Sequence, residues 1–314
     1  MADIGTDISI ARSLLQKGDL VAIPTETVYG LAGNALDIDS VARIFEVKNR
    51  PSFDPLIVHV HDFSQVHKYV MSIPPQAEKL AKQSWPGPLT LLLRKKSAIP
   101  DLVTSGLDTV GIRCPNHPLT QDLLKTIDFP LAAPSANPFG FVSPTTAAHV
   151  NEQLGSKIKY VLDGGPCTIG IESTIVGFDN NKTIVHRLGG LTVEQIEDVV
   201  GDIELATPGS ILKAPGQLKS HYSPSKKMFT ADLDKTIEMI DLDRVGLLSF
   251  QKDYKGKHQV ILTPAGDLGE AAKNLFDALR RLDKMPVDLI LAELVPDEGV
   301  GRAINDRLRR ASAK

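Results

Sequence analysis

Cysteine is nearly absent: Cys114 and Cys167 are the only two in 314 residues, far apart and outside any CxxC pair. That excludes a disulfide framework and a thiolate zinc site, and leaves buried, idle thiols as the expectation. An excess of one charge is also missing. A net charge of -3, with 23% charged and 42% hydrophobic residues, describes a soluble globular chain. It disfavours a protein whose main task is to neutralise a long phosphate backbone. No apolar run approaches membrane-spanning length, and the acidic start Met1-Ala2-Asp3-Ile4-Gly5-Thr6-Asp7 lacks the basic and apolar regions of a signal peptide, so a cytoplasmic protein without membrane contact is expected. Three motifs are missing as well. There is no GxxxxGK[ST] phosphate loop, no GxGxxG fingerprint and no GxSxG elbow, so any nucleotide would need a different cradle.

What is present reads as α/β. The length suits two domains, each with its own core. Up to about Gly201, short apolar runs alternate with helical stretches, which implies a twisted sheet with helical cover. Strands are expected at Val21 to Pro24, Leu56 to Val60, Thr90 to Leu93, Val110 to Arg113, Leu131 to Ala133, Val161 to Asp163, Ser173 to Gly177 and Ile184 to Arg187. Helices are expected at Ile8 to Lys17, Ser40 to Glu46, Pro75 to Gln83, Pro118 to Thr126, Thr145 to Leu154 and Thr192 to Val199. The last of these has Thr192 as N-cap and Gln195 three residues on. Between Ala206 and Lys227, Pro-Gly and Ser-Pro pairs interrupt any periodicity, which reads as a linker. The expected division is therefore 1–205, linker 206–227, and a small α/β domain over 228–314. In that domain Asp267 to Asp283 reads as an amphipathic helix with Lys273, Arg280 and Arg281 toward water.

Two segments share an unusual grammar. Pro130-Leu131-Ala132-Ala133-Pro134-Ser135-Ala136-Asn137 and Leu20-Val21-Ala22-Ile23-Pro24-Thr25-Glu26-Thr27 each end an apolar run in proline, then present small hydrogen-bonding side chains. Between them lies Lys48-Asn49-Arg50-Pro51, read as two alternate cations on an extended segment and suited to an oligophosphate. Two solvated surface cations are the bland alternative. Together these segments suggest a site built from strand ends that binds an anion. In Leu56 to His61, the residues Ile57, His59 and His61 share one face. A two-histidine metal site there lacks a third ligand at suitable spacing, and a histidine hydrogen-bonded to a polar ligand fits better. Ser143-Pro144-Thr145-Thr146 precedes a helix whose start could dock an anion or simply be capped. Asp163-Gly164-Gly165-Pro166 and Gly170-Ile171-Glu172-Ser173-Thr174 read as turns or close backbone approaches. Hydroxyls, cations and amides without a nucleophile–base pair fit phosphoryl or nucleotidyl transfer, where the protein positions charged substrates.

These motifs resemble the YrdC/TsaC family of threonylcarbamoyl-AMP synthases. The resemblance rests on Pro24-Thr25-Glu26-Thr27-Val28-Tyr29-Gly30-Leu31, Lys48-Asn49-Arg50-Pro51, Pro55-Leu56-Ile57-Val58-His59, Trp85-Pro86-Gly87-Pro88-Leu89-Thr90, Ser135-Ala136-Asn137 and Glu172-Ser173-Thr174, while Ser220-His221-Tyr222-Ser223-Pro224 and the domain after it resemble the family's long form. The resemblance implies a twisted mixed open sheet with helices on its faces, followed by a small Rossmann-like domain. It implies conversion of L-threonine, bicarbonate and ATP to threonylcarbamoyl-AMP and pyrophosphate, with Mg2+ held mainly by the substrate phosphates. A partner transferase would then pass the group to tRNA, so this chain would meet tRNA only indirectly or weakly.

Carried over by motif, Lys48 and Arg50 would be catalytic. Thr27, His59, Ala133 and Ser173 would contact L-threonine. Arg50, Asp54, Thr109, Ser135, Asn137, Ser143, Arg187 and Tyr222 would contact ATP, with His221 and Tyr222 reaching over the site from the linker. Two positions depart from the family pattern: Phe139 stands where serine is usual, and Leu188 where proline is usual. Two other readings compete. A non-catalytic RNA-binding module is opposed by the net charge. Carbamoyl transfer, as in larger hydrogenase-maturation proteins with a similar domain, would call for cysteine-rich zinc modules that two cysteines cannot build.

Overall fold

Short strands capped by proline and polar turns have to pair widely to bury their apolar residues, and here they do so in one broad sheet. The computed structural model describes residues 1–180, 182–206 and 221–313. The chain divides into two compact units. The first is Met1–Phe139, Pro144–Cys167 and the described part of Glu172–Gln217; the second is Gly140–Ser143, Thr168–Ile171 and the described part of Leu218–Lys314. The division is thus not contiguous: two short loops from the N-terminal part group with the C-terminal unit. The linker expected over 206–227 falls largely outside the described residues.

In the first unit the strands are β1 Asp3–Gly5, β2 Val21–Ile23, β3 Gly30–Asn34, β4 Ile57–His59, β5 Leu89–Arg94, β6 Thr109–Arg113, β7 Leu131–Ala132, β8 Tyr160–Leu162, β9 Thr174–Asp179, β10 Lys182–Arg187 and β11 Ile203–Leu205. They form one mixed sheet in the order β1-β8-β2-β3-β7-β4-β6-β5-β9-β10-β11. The helices are α1 Ile8–Gln16, α2 Ile38–Lys48, α3 Val66–Tyr69, α4 Pro75–Ser84, α5 Asp101–Thr104, α6 Pro118–Thr126, α7 Ala147–Leu154 and α8 Val193–Val200. Strands β1, β3 and β11 were not expected from the sequence. All three lack a run of apolar residues long enough to announce them, and pairing with β8, β2 and β10 makes them strands.

Caps set the helix ends. Asp7 and Asp37 accept the backbone N–H groups of Ser9 and Asp39, and Thr192 and Gln195 form the anticipated capping box. Helix α7 begins at Thr146, whose side chain accepts the His149 N–H at 3.2 Å, so neither Ser143 nor Thr145 is its cap. Helix α2 runs longer than expected. Lys48 is its last residue, and Asn49 closes it in the left-handed region at φ 51°. The extended segment expected for Lys48 and Arg50 is therefore a helix end.

One face of this sheet is almost wholly apolar. Ala22, Leu31, Val58, Ile112, Leu91, Val176 and Val185 lie there in a single core with Ile44 of α2, Leu80 of α4 and Ile196 of α8. On the other face, α1 and α6 cover Val21, Ile23, Ala32, Leu131, Tyr160 and Leu162. Past β7, among the described residues, that face has three clustered apolar residues, Ile57, Leu92 and Ile175. This half of the sheet carries the polar residues considered below.

The second unit is a four-stranded parallel sheet, β12 Lys227–Thr230, β13 Val245–Ser249, β14 Gln259–Ile261 and β15 Leu289–Ala292, in the order β12-β15-β13-β14. With it go α9 Leu233–Thr236, α10 Leu268–Lys284 and α11 Gly301–Ala311. Asp267 caps α10. Lys273 and Arg281 do not enter the core, but Arg280, expected in water, is only 7% exposed and donates to the carbonyls of Val142 and Ser143. Amphipathic spacing marks which side of a helix is apolar; it cannot reveal that a loop from elsewhere in the chain presents carbonyls to it. Arg307 on α11 is fully buried, 5.3 Å from the Tyr222 ring, which stacks on Phe276 at 5.5 Å. Cys114 and Cys167 are both buried and unbridged, as expected, and burial pushes their thiols up to about 11 and about 12. Among the described residues no helix is long and apolar enough to cross a membrane.

Candidate active site

Cross-strand partners point to the same side of a sheet. His59 of β4 stands opposite Arg113 of β6, Arg113 opposite Thr90 of β5, Thr90 opposite Ile175 of β9, and Ile175 opposite Arg187 of β10. A row of imidazole, guanidinium, hydroxyl and guanidinium thus crosses the half of the sheet that α1 and α6 leave uncovered. Residues one step along, Val58, Ile112, Leu91 and Val176, turn into the apolar core on the far side. The site is built chiefly on a sheet face. The strand-end picture holds only for its margins, the turns after β2 and β7.

Ser173 precedes β9 and joins the row. Its hydroxyl lies 2.7 Å from that of Thr90, and Arg187 holds it from the side, donating from Nε (3.1 Å) and Nη2 (2.8 Å) to the Ser173 carbonyl and from Nη2 to its Oγ (3.2 Å). Arg113 is 4% exposed and donates from Nε to the Gly87 carbonyl at 3.3 Å. Its Nη2 lies 2.8 Å from Glu26 Oε1, an ion pair that is not in line for a hydrogen bond. His59 is 3% exposed and has no partner at Nδ1 among the described residues; burial and then the Arg113 charge hold its pKa down to about 3, so the imidazole is neutral.

A second group lies at the margin. Lys48, 1% exposed, donates from Nζ to the carbonyls of Ser135 (2.5 Å) and Asn137, fixing the turn after β7. Ala133, in the same turn, donates its N–H to Ile57. Arg50 donates to the carbonyls of Asp54 (3.0 Å) and Pro55 (2.8 Å), lies 2.9 Å from Asp54 Oδ2, and sits 5.8 Å from the centre of the Phe139 ring. Burial raises the pKa of Asp54, opposed by Arg50, Lys48 and Arg187; burial and the Arg50 charge drive Lys48 well below its ordinary value. Asp54 therefore feels all three cations, which ties the helix end, the turn after β7 and β10 into one electrostatic cluster.

The expected site residues divide accordingly. Lys48, Arg50, Asp54, Ser135, Asn137 and Arg187 gather in that cluster. His59, Ser173 and Arg187 share the sheet face, and Ala133 adjoins Ile57 on it. Thr27 lies in the turn after β2, its hydroxyl 2.8 Å from that of Thr25. Thr109 lies on the same face as Arg113 but at the far end of β6, paired with Arg94. Ser143 and Tyr222 belong to the second unit. Leu188 packs against the large core of the first unit. Glu26, Thr90 and Arg113 were missed as site residues. For Arg113 a signal existed: in Thr109-Val110-Gly111-Ile112-Arg113 the apolar residues alternate, which puts the arginine opposite the core. Among the described residues no three His, Cys, Asp or Glu side chains converge to hold a metal.

Residues 13–189 match the family model of Sua5, YciO and YrdC, described as Telomere recombination, and residues 191–313 match one described as Threonylcarbamoyl-AMP synthase, C-terminal domain. The chain is 43% identical over 322 residues to the threonylcarbamoyl-AMP synthase of Pyrococcus abyssi (strain GE5 / Orsay), covering 97% of this chain and 94% of that one. It is 40% identical over 320 residues to that of Bacillus subtilis (strain 168), covering 97% and 92%. A crystal structure of P. abyssi Sua5 complexed with L-threonine superposes with a TM-score of 0.91 at 39% identity, over 99% of this chain and 97% of that chain.

Proposed function

The chain belongs to the Sua5/YciO/YrdC family and is a threonylcarbamoyl-AMP synthase with the family's C-terminal domain, and from that premise we propose how its first unit handles L-threonine, bicarbonate and ATP. The observation that carries the reading is the buried cluster of Arg50, Arg187, Lys48 and Asp54. Two guanidiniums outnumber one carboxylate there, and Lys48 adds a third cation when it is protonated. Arrival of a polyphosphate favours that protonated form, so binding and charging of the cradle reinforce each other. Within the first unit, Arg50, Asp54, Ser135, Asn137, Arg187 and Lys48 take the nucleotide, with Thr109 completing its contacts.

Threonine lies on the sheet face. Arg113 receives its carboxylate; neutral His59 and the hydroxyls of Thr27 and Ser173, with Ala133 beside them, receive its polar groups. The threonine amine takes up bicarbonate carbon and releases water. The resulting carbamate oxygen then bonds to the α-phosphorus of ATP as the bond to pyrophosphate breaks. A carbamate is labile in water, so alignment and enclosure matter more here than a strong base. Charge growing on pyrophosphate is met by Lys48, Arg50 and Arg187. The donor set fits a Mg2+ that arrives on the ATP phosphates, where it would neutralise charge, better than a resident ion, because Asp54 already faces Arg50.

The product requires a transferase that accepts it before hydrolysis and passes it to tRNA. Two unbridged cysteines suit a reducing, cytoplasmic setting. The non-catalytic RNA-binding reading is not favoured, because nearly full-length relatives are named as synthases. Incubation with labelled bicarbonate, ATP and single amino acids, followed by chromatography of adenylates, tests the reading. A labelled adenylate formed with L-threonine is expected; an adenylate without the label, or none, overturns it.

A further inference from the structure

We propose that Glu26 is a positioning residue for Arg113, aiming that guanidinium at the carboxylate of the amino-acid substrate; this rests on the reading of the sheet face given above. Glu26 follows β2 in the turn Thr25-Glu26-Thr27 and is 4% exposed. One carboxylate oxygen, Oε2, accepts the backbone N–H of Asn116 at 3.0 Å, which anchors the side chain to the segment after β6. The other, Oε1, lies 2.8 Å from Arg113 Nη2. Glu26 therefore touches the arginine while its own position is fixed by backbone. The turn holding Glu26 is itself closed by Thr25, whose Oγ1 donates to the Val28 carbonyl at 2.7 Å and accepts the N–H groups of Thr27 and Val28.

An arginine this deeply buried needs a counter-charge in the substrate-free protein, and a long side chain with several rotamers needs a second anchor besides the single bond from Nε to Gly87. Glu26 supplies both. The contact is an ion pair without hydrogen-bond alignment, so it fixes Nη2 by charge. The guanidinium then meets an incoming carboxylate preorganised, with little left to order on binding. Thr27, the neighbour of Glu26 in the same turn, is thereby coupled to Arg113, so both sides of the amino-acid pocket are set by one buried ion pair.

The test is a double-mutant cycle read in Michaelis parameters. Glu26→Gln keeps the shape and removes the charge; it is expected to raise the KM for L-threonine about tenfold or more while the KM for ATP stays within about twofold. In an Arg113→Met background, Glu26→Gln should have no further effect on the threonine KM. Should Glu26→Gln not fold, Glu26→Asp, which retains the charge at a shorter reach, is expected to show the same threonine-selective rise. Additive effects in the two backgrounds, a rise shared equally by ATP, or an unchanged threonine KM in Glu26→Asp and Glu26→Gln would each overturn the proposal. All of this presupposes wild-type synthesis of the labelled adenylate; its absence would instead defeat the functional reading itself.

Discussion

Lys48 donates to the carbonyl of Ser135 at 2.5 Å, across a chain separation that joins the end of α2 to the turn after β7. The amino group therefore has a structural task in the substrate-free protein: it pins the turn that carries Ser135 and Asn137.

Replacement of Lys48 by alanine should then have two effects. Adenylate formation is lost, because both the cation and the shape of the turn go. Stability also falls, by about 1–3 kcal/mol, because two buried carbonyls lose their donor. Pyrophosphate release and thermal unfolding measured on one preparation check both; unchanged release would remove Lys48 from the mechanism.

His59 links pH to stability. Its folded pKa is about 3 against an ordinary 6.5. Between those values the unfolded chain binds a proton that the folded one does not, so stability declines as pH falls through 6.5 and the loss levels off near 3. The contribution lost at pH 5 is about 2 kcal/mol. Denaturant unfolding of wild type and His59→Gln at pH 7.5 and pH 5 should show the smaller pH effect in the variant; parallel losses would contradict a neutral buried His59.

Phe139 gives the Arg50 guanidinium an aromatic neighbour at 5.8 Å, and its backbone N–H donates to the Lys48 carbonyl at 2.7 Å. Serine at this position keeps the backbone bond and loses the ring. Phe139→Ser is expected to raise the ATP KM by a few-fold, about 0.5–1 kcal/mol, with little change for threonine. A larger threonine effect would place the ring's influence elsewhere.

Chelation separates a substrate-borne metal from a resident one. EDTA should abolish adenylate formation and leave the unfolding midpoint of the nucleotide-free protein where it was. A drop of several degrees would reveal a structural ion bound by the chain.

The sequence by itself determined the periodicities and the punctuation. Alternation in Val110 to Arg113 made a strand with one apolar face, Thr192 and Gln195 specified a capping box, and prolines at 24 and 134 ended their strands in hydrogen-bonding turns. These are local properties, written in neighbouring residues. The order of those motifs also pointed to the family. Only the tertiary structure decided which polar residues meet. Strand register set His59, Arg113, Thr90 and Arg187 in one row, although they come from four separate strands, and no local pattern encodes which strands pair. It also turned Lys48 inward at a helix end, placed Glu26 against Arg113, and drew Arg280 away from water onto the carbonyls of Val142 and Ser143. Each of these depends on a partner far along the chain, and burial makes the pairing energetically necessary.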